Sequence, residues 1–127
     1  MDCIFCKIVA GEIPSHKVYE NDSFIAILDI NPSETGHTLI IPRKHNENIF
    51  DLDEDDAREL MPLAKKLAIA IDRSLHPDGM NIRQNNGTAA GQEVMHYHLH
   101  LIPRYSGASP DKKDFTALAE AISDQII

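Results

Sequence analysis

The chain has 127 residues, enough for one domain spanning 1–127 that buries roughly two-thirds of the surface its unfolded form exposes. Its 43% hydrophobic and 25% charged content is ordinary for a soluble globular protein, and no apolar run approaches the length of a membrane span. A net charge of −8 with neutral histidines argues against a nucleic-acid backbone as partner, because such surfaces carry a basic surplus.

The opening "MDCIFCKIVAG" starts acidic and is interrupted by Lys7, unlike a secretory signal, and only two cysteines occur. A cytoplasmic, reducing setting without a stable disulfide is the expectation. Residues 2–10 suit a short helix, with Asp2 as its cap, Ile4, Phe5 and Ile8 on one face, and Gly11 at its end. "HKVYE", "SFIAILDI" and "HTLIIP" read as three strands separated by turn material at Asn21–Asp22 and "NPSETG". Asp53 begins a helix with the apolar stripe Leu60, Leu63, Leu67, Ile71 and Leu75. Pro62 inside that stripe predicts a kink or a late helix start. "MNIRQN" and "VMHYHLHLIP" are two further strands around the loop "NGTAAGQE". Asp114 caps a final helix with Phe115, Leu118, Ile122 and Ile126 on one side. Five short strands with closely spaced turns predict an α+β domain, a mainly antiparallel sheet carrying helices.

Histidine chemistry dominates the candidate site. His96, His98 and His100 alternate, so in a strand their rings share one face while Tyr97, Leu99 and Leu101 take the other. One strand histidine is usually a hydrogen-bonded core residue. Three neighbouring imidazoles cannot all become cations without repulsion, so their face should meet an anion, a metal or a solvent cleft. Neutral imidazole is also a competent nucleophile toward phosphorus. Upstream, Gly87 and Gly91 let backbone amides turn toward a phosphate, and Asn85 and Gln92 add neutral donors. Alone, that loop reads equally as a plain turn. Cys3 and Cys6 lie at i, i+3 and share a helix face, which suits one metal, a redox pair or two buried thiols. His16 and His76 suit the surface, and "DLDEDDARE" a solvated helix start.

"CIFCKIVAGEIPSHKVYEND", "AILDINPSETGHTLIIPRKH" and "GQEVMHYHLHLIPR" together resemble the histidine-triad family over nearly the whole chain. The resemblance is to its compact nucleotide-binding branch, the protein-kinase-C-interacting-like phosphoramidases. It implies a homodimeric α+β protein that binds purine nucleotides and hydrolyses adenylyl conjugates, notably phosphoramidates, without an organic cofactor. It implies His98 as the nucleophile on the α-phosphorus, forming a nucleotidyl-histidine that water hydrolyses, with the His96 carbonyl orienting the ring. His100 would contact phosphate oxygens, His96 would sit behind the nucleophile, and His37 would stand beside the triad. Asp29 matches the ribose-binding carboxylate, and Ile4, Phe5, Ile8, Ile27, Ile30 and Leu39 match the apolar slot for the base. Asn85, Gly91, Gln92, Glu93 and Val94 match ligand-facing positions of the loop.

The resemblance also supplies a metal. Some bacterial members hold zinc with a Cys-x-x-Cys pair, a distant histidine and the first triad histidine. Here those are Cys3, Cys6, His45 and His96, and four protein ligands would make the zinc structural. Glu93 departs from the small hydroxyl residue of eukaryotic members, near the leaving group, where a carboxylate acts on a departing amine or repels further phosphates. Asn85 stands where dinucleoside polyphosphate hydrolases tend to carry glutamine. The alternatives are such a polyphosphate hydrolase, or a nucleotide- or partner-binding module whose hydrolysis is incidental.

Overall fold

Unbroken apolar runs in the second and third predicted strands require a sheet covered on both faces. The computed structural model, which describes residues 3–110 and 114–127, has that arrangement. In chain order the elements are α1 (Ile4–Val9), β1 (Lys17–Glu20), β2 (Phe24–Leu28), β3 (Thr38–Pro42), α2 (Glu54–Leu75), β4 (Gly79–Arg83), β5 (Leu99–Arg104) and α3 (Phe115–Asp124). A short 3₁₀ turn at Thr88–Ala90 interrupts the connection between β4 and β5. The five strands form one sheet in the order β1-β2-β3-β5-β4, and every neighbouring pair is antiparallel.

Strand alternation divides the core into two layers. Phe24, Ala26 and Leu28 of β2, Ile40 of β3 and Leu99 and Leu101 of β5 pack with Leu60, Leu63, Leu67 and Ile71 of α2 and with Leu118 and Ile122 of α3. On the opposite face Ile25, Ile27, Leu39 and Ile41 meet Cys3, Phe5 and Ile8 at α1. Each such Leu, Ile or Phe stabilises the fold by about 1.5–3 kcal/mol when fully buried.

Local chemistry ends the elements where it should, with some differences from expectation. The Asp2 cap lies outside the described residues. Cys3 occupies the N-cap of α1, its Sγ accepting from the Cys6 N–H at 3.3 Å. Asp53 caps α2 by accepting from Asp55 and Asp56, and Asp114 caps α3 by accepting from Ala117. Helix α2 does not start late at Pro62; it runs from Glu54 to Leu75. Pro62 is exposed, so the Arg58 carbonyl deprived of its N–H partner faces water.

His76 is exposed in the left-handed cap of α2, as expected of a surface residue. His16 is not fully at the surface: it is half-buried and stacks on Phe115 at 5.3 Å between centroids. Gly36, beside His37, has a φ of +89°, a backbone conformation that residues with a Cβ rarely adopt, and a Cβ there would also press on Leu75 Cδ1 at 2.5 Å.

The strand bearing the histidines is shorter than its sequence pattern. Ladder pairing begins at Leu99, so His96 and His98 lie in the extended approach to β5. Facing still alternates. Tyr97, Leu99 and Leu101 enter the helix-side core, while the rings of His98 and His100 meet at 4.8 Å on the α1 side. His96 turns into a separate pocket, described next.

Candidate active site and metal centre

A cleft of about 460 Å³ opens over the α1 side of the sheet. Its apolar end is formed by Ile4, Phe5, Ile8, Ile27, Ile30 and Leu39, its middle by Asp29, His37, His98 and His100, and its far end by Arg83, Asn85, Gly91, Glu93 and Val94. Ile30 is 66% exposed and Ile4 49% exposed, so apolar surface at the mouth is left in water for a ligand to cover.

The hydrogen bonds set the protons on the rings. His98 donates its Nδ1–H to the His96 carbonyl oxygen at 2.7 Å, which leaves the Nε2 lone pair free. The Phe5 ring packs against this imidazole in a T-shaped pair, 4.9 Å between centroids. The Ser33 N–H donates to His37 Nδ1 at 3.1 Å, so the His37 proton sits on Nε2 and is donated to His100 Nδ1 at 2.9 Å. His100 therefore carries its own proton on Nε2, a donor available to an anion. Asp29 anchors its Oδ1 on the Asn31 N–H at 2.9 Å, with Oδ2 3.7 Å from His37 Nε2.

Burial holds all three of these imidazoles below the ordinary range. His98 is lowered chiefly by desolvation, opposed by its bond to the His96 carbonyl and by the Asp29 and Glu93 carboxylates. His37 is lowered by burial, with Asp29 opposing. Burial, with repulsion from His98, His37 and Arg83, lowers His100 to about 4. The face is thus neutral at physiological pH, with one lone pair and one N–H available for a phosphate.

Asp29, His37 and His100 also bring potential metal-ligand atoms within 4.8 Å of one another. A cation there would need the His37 Nε2 lone pair, yet the Ser33 N–H keeps the proton on that nitrogen. This group works as a hydrogen-bond relay.

The second cluster behaves differently. His96 is fully buried, donates Nε2–H to the Pro42 carbonyl at 2.8 Å, and so presents a bare Nδ1. That nitrogen lies 3.4 Å from Cys3 Sγ, 3.5 Å from Cys6 Sγ and 3.1 Å from His45 Nδ1. Cys6 Sγ lies 3.3 Å from His45 Nδ1, and all four ligand atoms fall within 4.8 Å of one another. Tetrahedral zinc with bonds of about 2.0–2.3 Å places its ligands roughly 3.3–3.8 Å apart. The donor set and its spacing fit zinc. Burial and the neighbouring Cys3 sulfur raise the Cys6 thiol, a cost that a divalent cation would remove.

Most predicted residues gather at one of these two places, and Gln92 is the departure. It is 3% exposed, accepts from the Gly87 N–H at 2.8 Å through Oε1, and donates to the Glu47 and Val94 carbonyls. Its amide is spent on holding the loop rather than on the cleft. Ser33 and Arg83 are residues that sequence reasoning missed. Ser33 acts through a backbone N–H, which has no side-chain signal. Arg83 is found only by pairing β4 with β5, which sets it directly opposite His100.

Known proteins resemble this chain in sequence and in fold. The HIT domain profile matches residues 10–107. Protein hit of Bacillus subtilis is 49% identical over 104 residues, 82% of this chain and 72% of that protein. The adenosine 5'-monophosphoramidase HNT1 of Saccharomyces cerevisiae is 46% identical over 102 residues, 80% of this chain and 62% of that protein. Among solved structures, a hypothetical histidine triad nucleotide-binding protein from Sulfolobus tokodaii superposes with a TM-score of 0.92 at 37% identity, covering 98% of this chain and 91% of that one. A Zn-bound histidine triad family protein from Mycobacterium smegmatis gives 0.87 at 39% identity, covering 98% and 95%. With the profile covering most of its length, the chain belongs to the HIT domain family.

Proposed function

We propose that the protein is a nucleotidyl hydrolase that cleaves purine nucleoside phosphoramidates through a nucleotidyl-His98 intermediate. The observation that carries this reading is the His98 imidazole, held by its Nδ1–H on the His96 carbonyl with Nε2 bare in the cleft. The base lies in the slot of Ile4, Phe5, Ile8, Ile27, Ile30 and Leu39, and Asp29 accepts from the ribose hydroxyls.

His98 Nε2 attacks the α-phosphorus as the P–N bond breaks, and the bond's electron pair goes to the nitrogen, which takes a proton from solvent and leaves as the neutral amine. His100 Nε2–H, positioned through His37, and Asn85 donate to the phosphate oxygens as charge grows there. Water then attacks the phosphorus as the P–Nε2 bond breaks and returns a proton to solvent, releasing the mononucleotide and restoring neutral His98. The name of the yeast relative, an adenosine 5'-monophosphoramidase, supports this choice of substrate class.

Zinc at Cys3, Cys6, His45 and His96 has a structural role in this reading: four protein ligands leave it no open position, and it would tie α1 to the approach of β5. The Zn-bound mycobacterial structure supports the choice of metal. A homodimer belongs to the same reading, supported by the unpaired edge of β4, where Ile82 is 47% exposed. A reducing, cytoplasmic setting belongs to the same reading.

The test is turnover of adenosine 5'-phosphoramidate by wild type and His98→Ala. The variant should lose more than about a thousandfold in kcat while keeping its affinity for AMP. Undiminished turnover would overturn the reading.

A further inference from the structure

We propose that Arg83 selects the leaving group, by holding an anionic oxygen group carried on the side of the phosphorus away from the nucleoside. The inference rests on the nucleotidyl-hydrolase reading above and names its substrate class more closely.

Strand order orients the cleft. The apolar slot lies over β2, β3 and α1, the phosphate-binding histidines stand on β5 and its approach, and Arg83 and Asn85 stand on or just after β4. Asp29 and His37 are on the slot side of β5, whereas Arg83 is paired opposite His100 on the other side. Within one chain β4 is the last strand of the sheet, on the side of β5 away from the slot. A nucleotide that puts its base in the slot and its phosphorus over His98 and His100 therefore lays its leaving group over the cleft face of β4, beside Arg83.

Arg83 is the only lysine or arginine among the described residues that line the cleft. Arg43, Arg58 and Arg104 each face a carboxylate, but among the described residues none lies within ion-pair distance of Arg83. Its charge reaches the site, since it opposes protonation of His37 and His100. A guanidinium presents a planar fork of donors that matches carboxylate and phosphate oxygens. Glu93 lines the same end of the cleft and can accept the N–H of the departing amine.

The anionic group can be a carboxylate on the amine or a second phosphate, and three probes distinguish them: AMP joined through P–N to glycine, AMP joined to glycinamide, and ADP. The measurement is kcat/KM for each with wild type, Arg83→Gln, Arg83→Glu and Arg83→Lys. The glycine-to-glycinamide ratio should fall about three- to tenfold in Arg83→Gln, mainly through KM, fall further in Arg83→Glu, and be partly kept in Arg83→Lys. A parallel fall in the ADP-to-glycinamide ratio would extend the site to phosphate, and a fall in the ADP ratio alone would identify phosphate as the group held. Ratios unchanged in all variants, with wild type still cleaving the glycinamide conjugate, would overturn the Arg83 assignment alone. Failure of wild type on all three probes would overturn the hydrolase reading and this assignment with it.

Discussion

His98 hangs its imidazole on the backbone of His96, Nδ1–H to carbonyl oxygen at 2.7 Å, while the His96 ring faces Cys3, Cys6 and His45. One residue thus belongs to both clusters. Its side chain completes a metal-type site, and its main chain sets which nitrogen of the cleft histidine is bare. Anything that holds the His96 ring also holds the acceptor of the His98 proton.

Zinc content follows from that geometry. Freshly purified protein is expected to contain about one zinc per chain by elemental analysis, and Cys3→Ser/Cys6→Ser protein to contain none. Chelation of the wild type should lower its thermal midpoint by at least about 5 °C, because the metal stabilises only the folded ligand set. The double variant should show no response to chelator. Stoichiometric metal in that variant would show that other residues bind it.

Acid should destabilise the protein through the buried imidazoles of the cleft. His100 falls from an ordinary 6.5 to about 4, and His37 is lowered as well, both because burial disfavours the cation. Between those values the unfolded chain binds protons that the folded chain does not. The stabilisation is therefore complete above about pH 6.5 and is lost progressively as the pH falls toward 4. A series of thermal midpoints over this range should decline more steeply for wild type than for His100→Asn, which cannot titrate there. Equal slopes would contradict the account.

Much of this was legible in the chain because it is local. Period-two and period-3.6 apolar patterns located the strands and helices, and Asp53 and Asp114 announced their helices as caps. His98 and His100 share a face because alternation persists beyond the hydrogen-bonded ladder. What was not legible depends on contacts between distant segments. The ladder begins only at Leu99, where β3 supplies a partner, so the apolar pattern alone overextended the strand. Gln92 looked like a ligand donor until the Glu47 carbonyl, 45 residues away, claimed its amide. The stacking of His16 on Phe115 and the pairing of Arg83 with His100 likewise need the folded sheet. Pro62 is tolerated because it lies on the exposed face of α2, and a proline's cost depends on what its orphaned carbonyl meets.

The central claim is that His98 becomes covalently nucleotidylated during turnover. Mixing the protein with adenosine 5'-phosphoramidate, quenching in alkali within the first turnovers and measuring intact and peptide masses tests it most directly. The account predicts one adenylyl group per active chain, mapped to His98, appearing before steady state and absent in His98→Ala. Turnover with no adduct, or an adduct mapped to His96 or His100, would contradict it.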